Sequence, residues 1–340
     1  MIGIKTPNLF TYAYSELSQD AFICWLLEWA RLENKEENEQ LHNCGINLIN
    51  CFFDKHHKSK PERYEDIKIL RQTENIDILI ILNNKYVILI EDKVGTSDHS
   101  NQLVRYFNQI KDKPEYENEN ILPIYFKTHD QADYKIIQEN GYQVFTRSDF
   151  LEILNKGHEL GVQNSIFSDY RDHLLGIEER VNNYLTTPIC ADSHWDWEAW
   201  VGLFIKLQNA LSEKGSWGYV PNQTGGFWAF WWAIRSDDTG EQYIQLEENS
   251  LCFKIFVNEK NEDKRKLLRQ QWNEKLITEG EKQSLQLTKP YRFGYGRTMT
   301  VAVLDQPDFR RTNNDGTLNL NKTIELLKKA ENILKNVNLD

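Results

Sequence analysis

The apolar residues of this chain gather in short runs, and the densest is NIDILIILNNKYVILIEDKV at 75–94. Two continuous apolar segments flank an Asn-rich break, which predicts two buried strands joined by a tight hairpin. Asn is one of the few non-glycine residues that tolerates the left-handed region a three-residue loop requires. With Asn83, Asn84 and Lys85 as that loop, Leu82 pairs with Tyr86, and counting back sets Asp77 opposite Glu91. A two-residue loop would shift this register by one. Side chains alternate along a strand, so Glu91 and Lys93 share a face and Asp92 points the other way.

Patterns of other periods surround the hairpin. Leu17, Ala21, Cys24 or Trp25, and Leu27 or Glu28 give a largely apolar helix over 15–30, which must pack in a core. Leu41, Cys44, Leu48 and Cys51 with Phe52 trace one face of another. Leu103, Phe107 and Ile110 predict a helix over 97–111, with Ser97 or Asp98 as N-cap and Gln102 and Tyr106 on one face. Residues 120–129 read as a buried strand, 131–140 as a helix, 142–147 as a strand, and Ser148 begins a further helix. Residues 166–185 close this part as a helix. The order predicts an α/β domain, a mixed central sheet flanked by helices, over 1–187.

A boundary falls in TTPICADSH at 186–194, and the composition then changes: eight of the ten tryptophans lie between Trp195 and Trp272. Residues 188–340 predict an α+β domain. Its elements are a helix at 196–213, antiparallel strands at 227–236, 241–248 and 250–259, a charged helix at 259–279, strand residues at 291–305 and a last helix at 321–336. TGGFWAFWW (224–232) is either an aromatic platform for stacking bases or the core of a small sheet, and the core is the stronger reading. YRFGYGR sets Arg292 and Arg297 among Tyr291, Phe293 and Tyr295. It is the most nucleic-acid-like patch of this half, and Gly294 and Gly296 also suit a bulge.

Charge inside an apolar hairpin changes the picture. Two carboxylates and a lysine at one depth are costly to bury unless they pair, bind a metal or react. Asp77 and Glu91 with a backbone carbonyl suit a hard divalent cation such as Mg2+, which keeps several waters. Such an ion makes water a competent nucleophile near neutral pH, and Lys93 can place that water or stabilise charge on a phosphoryl oxygen. The plainer alternative is a salt bridge at a sheet end. Glu16, with Asp20 one turn later, is a candidate third acid or simply a carboxylate favoured by a helix N-terminus. Lys127 and His129, at a strand end, read first as surface polar groups and second as phosphate contacts.

These residues resemble the PD-(D/E)xK nuclease superfamily, the restriction-endonuclease-like fold. Asp77, Glu91 and Lys93 match its acid…acid-x-lysine signature, and Gln102 with Tyr106 match the Q-x-x-x-Y helix motif of one exonuclease-related branch. Ile76 stands where the family name has proline. The resemblance covers about residues 1–185. It implies a Mg2+-dependent (or Mn2+-dependent) phosphodiesterase with Asp77, Glu91, Lys93, Gln102 and Tyr106 as catalytic set. Glu16, Asp77 and Glu91 become the metal ligands. The implied substrate is nucleic acid, DNA ahead of RNA, and members are often linked to bacterial defence. The alternative is a catalytically silent scaffold whose Trp-rich domain binds a protein or small ligand.

Composition limits the partners. The net charge is −11, and the first 185 residues hold 20 basic and 30 acidic residues against 20 and 21 in the remainder. Indiscriminate coating of nucleic acid is thus excluded. No apolar run reaches the roughly 18 residues of a membrane span, and residues 1–20 lack a secretory pattern. Five cysteines without a CxxC pair predict reduced thiols and a cytoplasmic protein. His42, Cys44, Cys51 and His56 invite a zinc site, but the helical periodicity makes core cysteines the better reading.

Overall fold

The computed structural model describes residues 7–95, 102–190, 195–211, 214–223, 225–238, 240–294 and 296–337. The chain forms two compact units, Met1–Glu178 and Glu179–Asp340.

The first unit is built on a five-stranded mixed sheet in the order β1-β2-β3-β4-β5. Its strands are β1 (Ile67–Thr73), β2 (Ile76–Leu82), β3 (Tyr86–Lys93), β4 (Ile121–Lys127) and β5 (Gln143–Thr146). β1, β2 and β3 run antiparallel, whereas β3, β4 and β5 run parallel. The β2–β3 hairpin closes with Leu82 opposite Tyr86, and Asn83 and Asn84 both sit in the left-handed region at φ 53° and 50°. The Asn83 carboxamide also accepts from the amides of Glu65 and Asp66 and donates to the Arg63 carbonyl. One residue therefore sets the turn and ties it to the chain entering the sheet.

Helices cover both faces, which is why β3 and β4 read as nearly continuous apolar runs. One face, with Leu79, Val87, Leu89 and Tyr125, packs against Leu103, Tyr106 and Ile110 of α3 (Gln102–Lys111) and Ile137 of α4 (Lys135–Glu139). The opposite face meets α1 (Glu16–Glu28), α2 (Glu39–Lys55) and α5 (Arg147–Glu159), with α6 (Ser165–Asn182) completing the layer. α5 starts with the capping box of Thr146 and Asp149. Within α2, Leu41, Cys44, Leu48 and Phe52 are buried. The zinc alternative does not arise: His42 bonds the Trp29 carbonyl, His56 bonds that of Pro123, and Cys44 packs in the core.

The orientation of α1 departs from expectation. Leu17 and Ala21 are exposed, and the buried face carries Gln19 and Asp20 with Phe22, Ile23, Leu26 and Leu27. Two polar residues occupy core positions because they have partners there, so apolar periodicity alone points to the wrong side. The N-cap expected for α3 at Ser97 or Asp98 lies outside the described residues.

The second unit is α+β. Its six-stranded antiparallel sheet has the order β10-β11-β9-β8-β7-β6. The elements are α7 (Trp197–Ala210), β6 (Ser216–Asn222), β7 (Gly225–Asp237), β8 (Gly240–Glu247), β9 (Ser250–Val257), α8 (Glu262–Lys282), β10 (Leu287–Thr288), β11 (Thr298–Leu304) and α9 (Leu320–Asn336). Strand β6, broken in pattern by Gly218 and Pro221, was not anticipated. The aromatic run serves the core: Phe230 and Trp232 are fully buried, and the Trp232 indole donates to Glu331. The strand expected from residue 291 begins only at Thr298, because Arg269 holds the preceding segment as a loop.

Helices α1 and α2 meet at Gly45, where an added Cβ would lie 2.6 Å from the Leu26 carbonyl oxygen and 2.8 Å from the Ala30 nitrogen. Backbone cannot yield as a flexible side chain can, so Gly45→Ala should destabilise the chain by about 1–3 kcal/mol. A lowered urea midpoint checks this; an unchanged midpoint would show that the helix pair is free to slide.

Candidate active site

The hairpin register carries Asp77 and Glu91 to neighbouring positions at the end of the sheet, just beyond the Ile78–Ile90 pair. Lys93 lies on the same face, its ammonium 2.6 Å from Glu91 Oε1 and 3.9 Å from Asp77 Oδ2. It also donates to the Asp92 carbonyl at 3.0 Å. Gln102, opening α3, donates to Glu91 Oε1 at 2.7 Å and to the Tyr106 hydroxyl at 3.1 Å. The spacing of four in the sequence is thus one hydrogen-bonded relay onto Glu91. Glu16 reaches the same strand end from α1, accepting the Val94 amide at 3.4 Å.

The ammonium stays charged. Burial opposes this, but the hydrogen bond and charge of Glu91, then the charges of Asp77 and Glu16, raise its pKa above the usual lysine value. Lys127 pairs with Lys93 across the parallel β3–β4 ladder. It is only 3% exposed, not the surface group expected, because β4 runs fully buried to its last residue. Burial first, with Lys93 adding to it, pulls its pKa down to about 8 against the attraction of Glu16.

Behind this face lies a buried polar network that the sequence pattern did not announce. Asp92 is fully buried close to Asp20, itself 1% exposed, and burial together with the Asp20 charge raises the Asp92 pKa. Gln19 donates to Asp92 Oδ1 at 2.5 Å and accepts from the Thr128 and Tyr170 hydroxyls at 2.7 and 3.0 Å. The Asp92 amide donates to Asp77 Oδ2 at 2.9 Å. Gln72 donates to Asp77 Oδ1 at 3.2 Å and to Asp20 Oδ2 at 3.1 Å. Gln72 holds φ 51°, a strained region for this residue, and it falls at a break in the β1–β2 pairing between Arg71 and Thr73. Asp20, the alternate third acid, therefore stands with Asp92 at the back.

Among the described residues, the ligand donors at this strand end are oxygens: the carboxylates of Asp77, Glu91 and Glu16 and the Asp92 carbonyl. That set fits a hard divalent ion rather than a soft one. Among the described residues no group of three carboxylate, imidazole or thiol side chains already stands ready to hold a metal. Asp77, Glu91 and the Asp92 carbonyl stand at this strand end beside the Lys93 ammonium.

A mixed sheet whose hairpin presents acid, acid and lysine against a helix carrying Gln and Tyr is the architecture of a phosphodiesterase nuclease domain. Residues 7–187 match the family model of the PD-(D/E)XK nuclease superfamily, and the chain belongs to that superfamily. No curated protein and no solved structure matches it. Among the described residues no helix is long and apolar enough to cross a membrane.

Burial, and then the Asp77 charge, pushes the Asp20 carboxyl up to about 6; burial and Asp20 push Asp92 well above the carboxylate range. A carboxyl with a raised folded-state pKa stabilises fully below its unfolded value of about 3.9, and that contribution is lost as pH rises through the folded pKa. Asp92→Asn keeps the shape and removes the titrating carboxyl. Its melting temperature should gain on wild type as pH climbs from about 4 through 6 and beyond. A difference that stays constant with pH would contradict a raised Asp92 pKa.

Proposed function

We propose that the chain is a metal-dependent nuclease that hydrolyses DNA phosphodiester bonds. The observation that carries this reading is the convergence of Asp77, Glu91 and Lys93 on one face of a buried hairpin, with Gln102 bonded to Glu91. Asp77 and Glu91 would hold Mg2+ or Mn2+, with Glu16 as the third acid. Bound there, the ion supplies Lewis acidity toward water and the phosphoryl oxygens.

The remaining work falls to this chain's own groups. Lys93, kept protonated by its carboxylate neighbours, stabilises negative charge developing on the phosphoryl group rather than accepting a proton. Its second contact, the Asp92 carbonyl, fixes the direction of the ammonium. Gln102 orients Glu91, and Tyr106 in turn orients Gln102, so both are positioning residues. The Asp92 amide and Gln72 fix the two oxygens of Asp77. DNA as substrate follows from the family resemblance; RNA requires no different machinery. The five free cysteines suit a reducing compartment such as the cytoplasm.

The test is cleavage of plasmid, linear duplex, single-stranded DNA and RNA with Mg2+ or Mn2+. Asp77→Ala and Lys93→Met should each lower the rate by about 10^2–10^3 or more, and Gln102→Ala by about 10- to 100-fold. Cleavage undiminished in Asp77→Ala would sink the assignment. Absence of cleavage together with no metal-induced rise in melting temperature would favour a binding scaffold.

A further inference from the structure

The second unit contains a segment whose charge runs against that of the chain. No acid occurs between Glu281 and Asp305, an interval that holds Lys282, Lys289, Arg292 and Arg297 in a protein of net charge −11. Between β10 and β11 the residues 289–294 and 296–297 form a surface loop; Tyr295 lies outside the described residues. Lys289, Arg292 and Arg297 are exposed, and Tyr291 is fully exposed. Among the described residues none of these three cations has an ion pair.

The loop is held in shape at a cost. Arg269, only 2% exposed, donates to the carbonyls of Arg292, Gly294 and Thr300 and lies over the Phe293 ring at 3.9 Å. Lys289 caps that ring at 4.3 Å. Arg269 makes no ion pair among the described residues, and burial pulls its pKa down to about 10. A buried guanidinium satisfied by carbonyls alone adds positive charge beneath the loop instead of cancelling it. Any structural staple without charge would have been cheaper, so the positive charge is itself the feature to explain.

Arg292 also forms a wall of a groove of about 540 Å3, whose other polar lining includes Ser250, Thr288 and Thr300. Two acids line it, Glu247 and Asp305; Glu247 is already paired with Lys254. The loop itself, with three exposed cations and a bare tyrosine, matches a strand with a phosphate backbone and splayed bases.

We infer that the exposed cations of residues 289–294 and 296–297 form a nucleic-acid-holding surface on the second unit, with Arg292 and Arg297 on phosphates and Tyr291 stacking a base of single-stranded DNA. The inference rests on the nuclease reading and adds a substrate contact separate from the acids of the first unit. In the aromatic run of β7, by contrast, Phe230 and Trp232 are fully buried in the core.

The test is fluorescence anisotropy of a labelled DNA single strand with the full chain in EDTA, where a metal-dependent enzyme leaves the strand whole. Loss of two phosphate contacts in Arg292→Gln/Arg297→Gln should flatten the slope of log affinity against log salt by about 1.4 and weaken binding roughly 25-fold at about 0.1 M salt. Tyr291→Ala should weaken binding at least about fivefold with the slope unchanged. These side chains are exposed, so unchanged melting curves certify the fold. Parental affinity and slope in both variants overturn the inference and leave the nuclease reading intact. A loss seen with RNA but not with DNA overturns the DNA assignment of the surface. A parent that binds neither polymer overturns this inference, while the cleavage assay tests the nuclease reading separately.

Discussion

The site depends on a hydrogen bond that does not belong to its acidic face: the contact between Gln19 and Asp92. Strand alternation makes it necessary. Once Glu91 and Lys93 point toward α3, Asp92 between them must point into the opposite layer, where water is excluded. A lone carboxylate there would be prohibitively costly. A raised pKa, together with the hydrogen bond from Gln19, offsets that cost, and the Gln19 contact fixes α1 against the end of β3. Glu16 is thereby brought to the amide of Val94, and Gln72 and the Asp92 amide lock Asp77.

Much of the site was legible in the sequence because its signals are local. The Asn-rich turn fixed the loop length, loop length fixed the register, and alternation then placed Asp77, Glu91 and Lys93 together. Gln102 and Tyr106 needed only the helical repeat. The mixed α/β order of the first unit and the antiparallel sheet of the second followed from periodicity in the same way.

What stayed hidden depends on distant partners. Gln19 and Asp20 sit on the buried face of α1 only because Asp92, Thr128 and Tyr170 meet them, and Tyr170 lies 151 residues along the chain. Nothing local marks Gln72 as a link between layers; its partners Asp20 and Asp77 come from α1 and β2. Strand β6 was masked by Gly218 and Pro221 at an edge where they are tolerated. In the second unit Arg269 reshapes residues that read as strand, and Arg310 lies over both Trp195 and Trp200, with centroids 4.3 and 4.6 Å away, while bonded to Asp308. Tryptophan there is largely framework, which composition alone could not distinguish from a binding platform.

The central claim is that the oxygens of Asp77 and Glu91 form a site for a hard divalent ion. Calorimetric titration of Mn2+ into the full chain addresses it without requiring the correct substrate. The account predicts a binding event weakened at least about tenfold by Asp77→Asn and untouched by Glu33→Gln, which removes an exposed acid elsewhere. Equal binding by wild type and Asp77→Asn, or no binding by either, would contradict it.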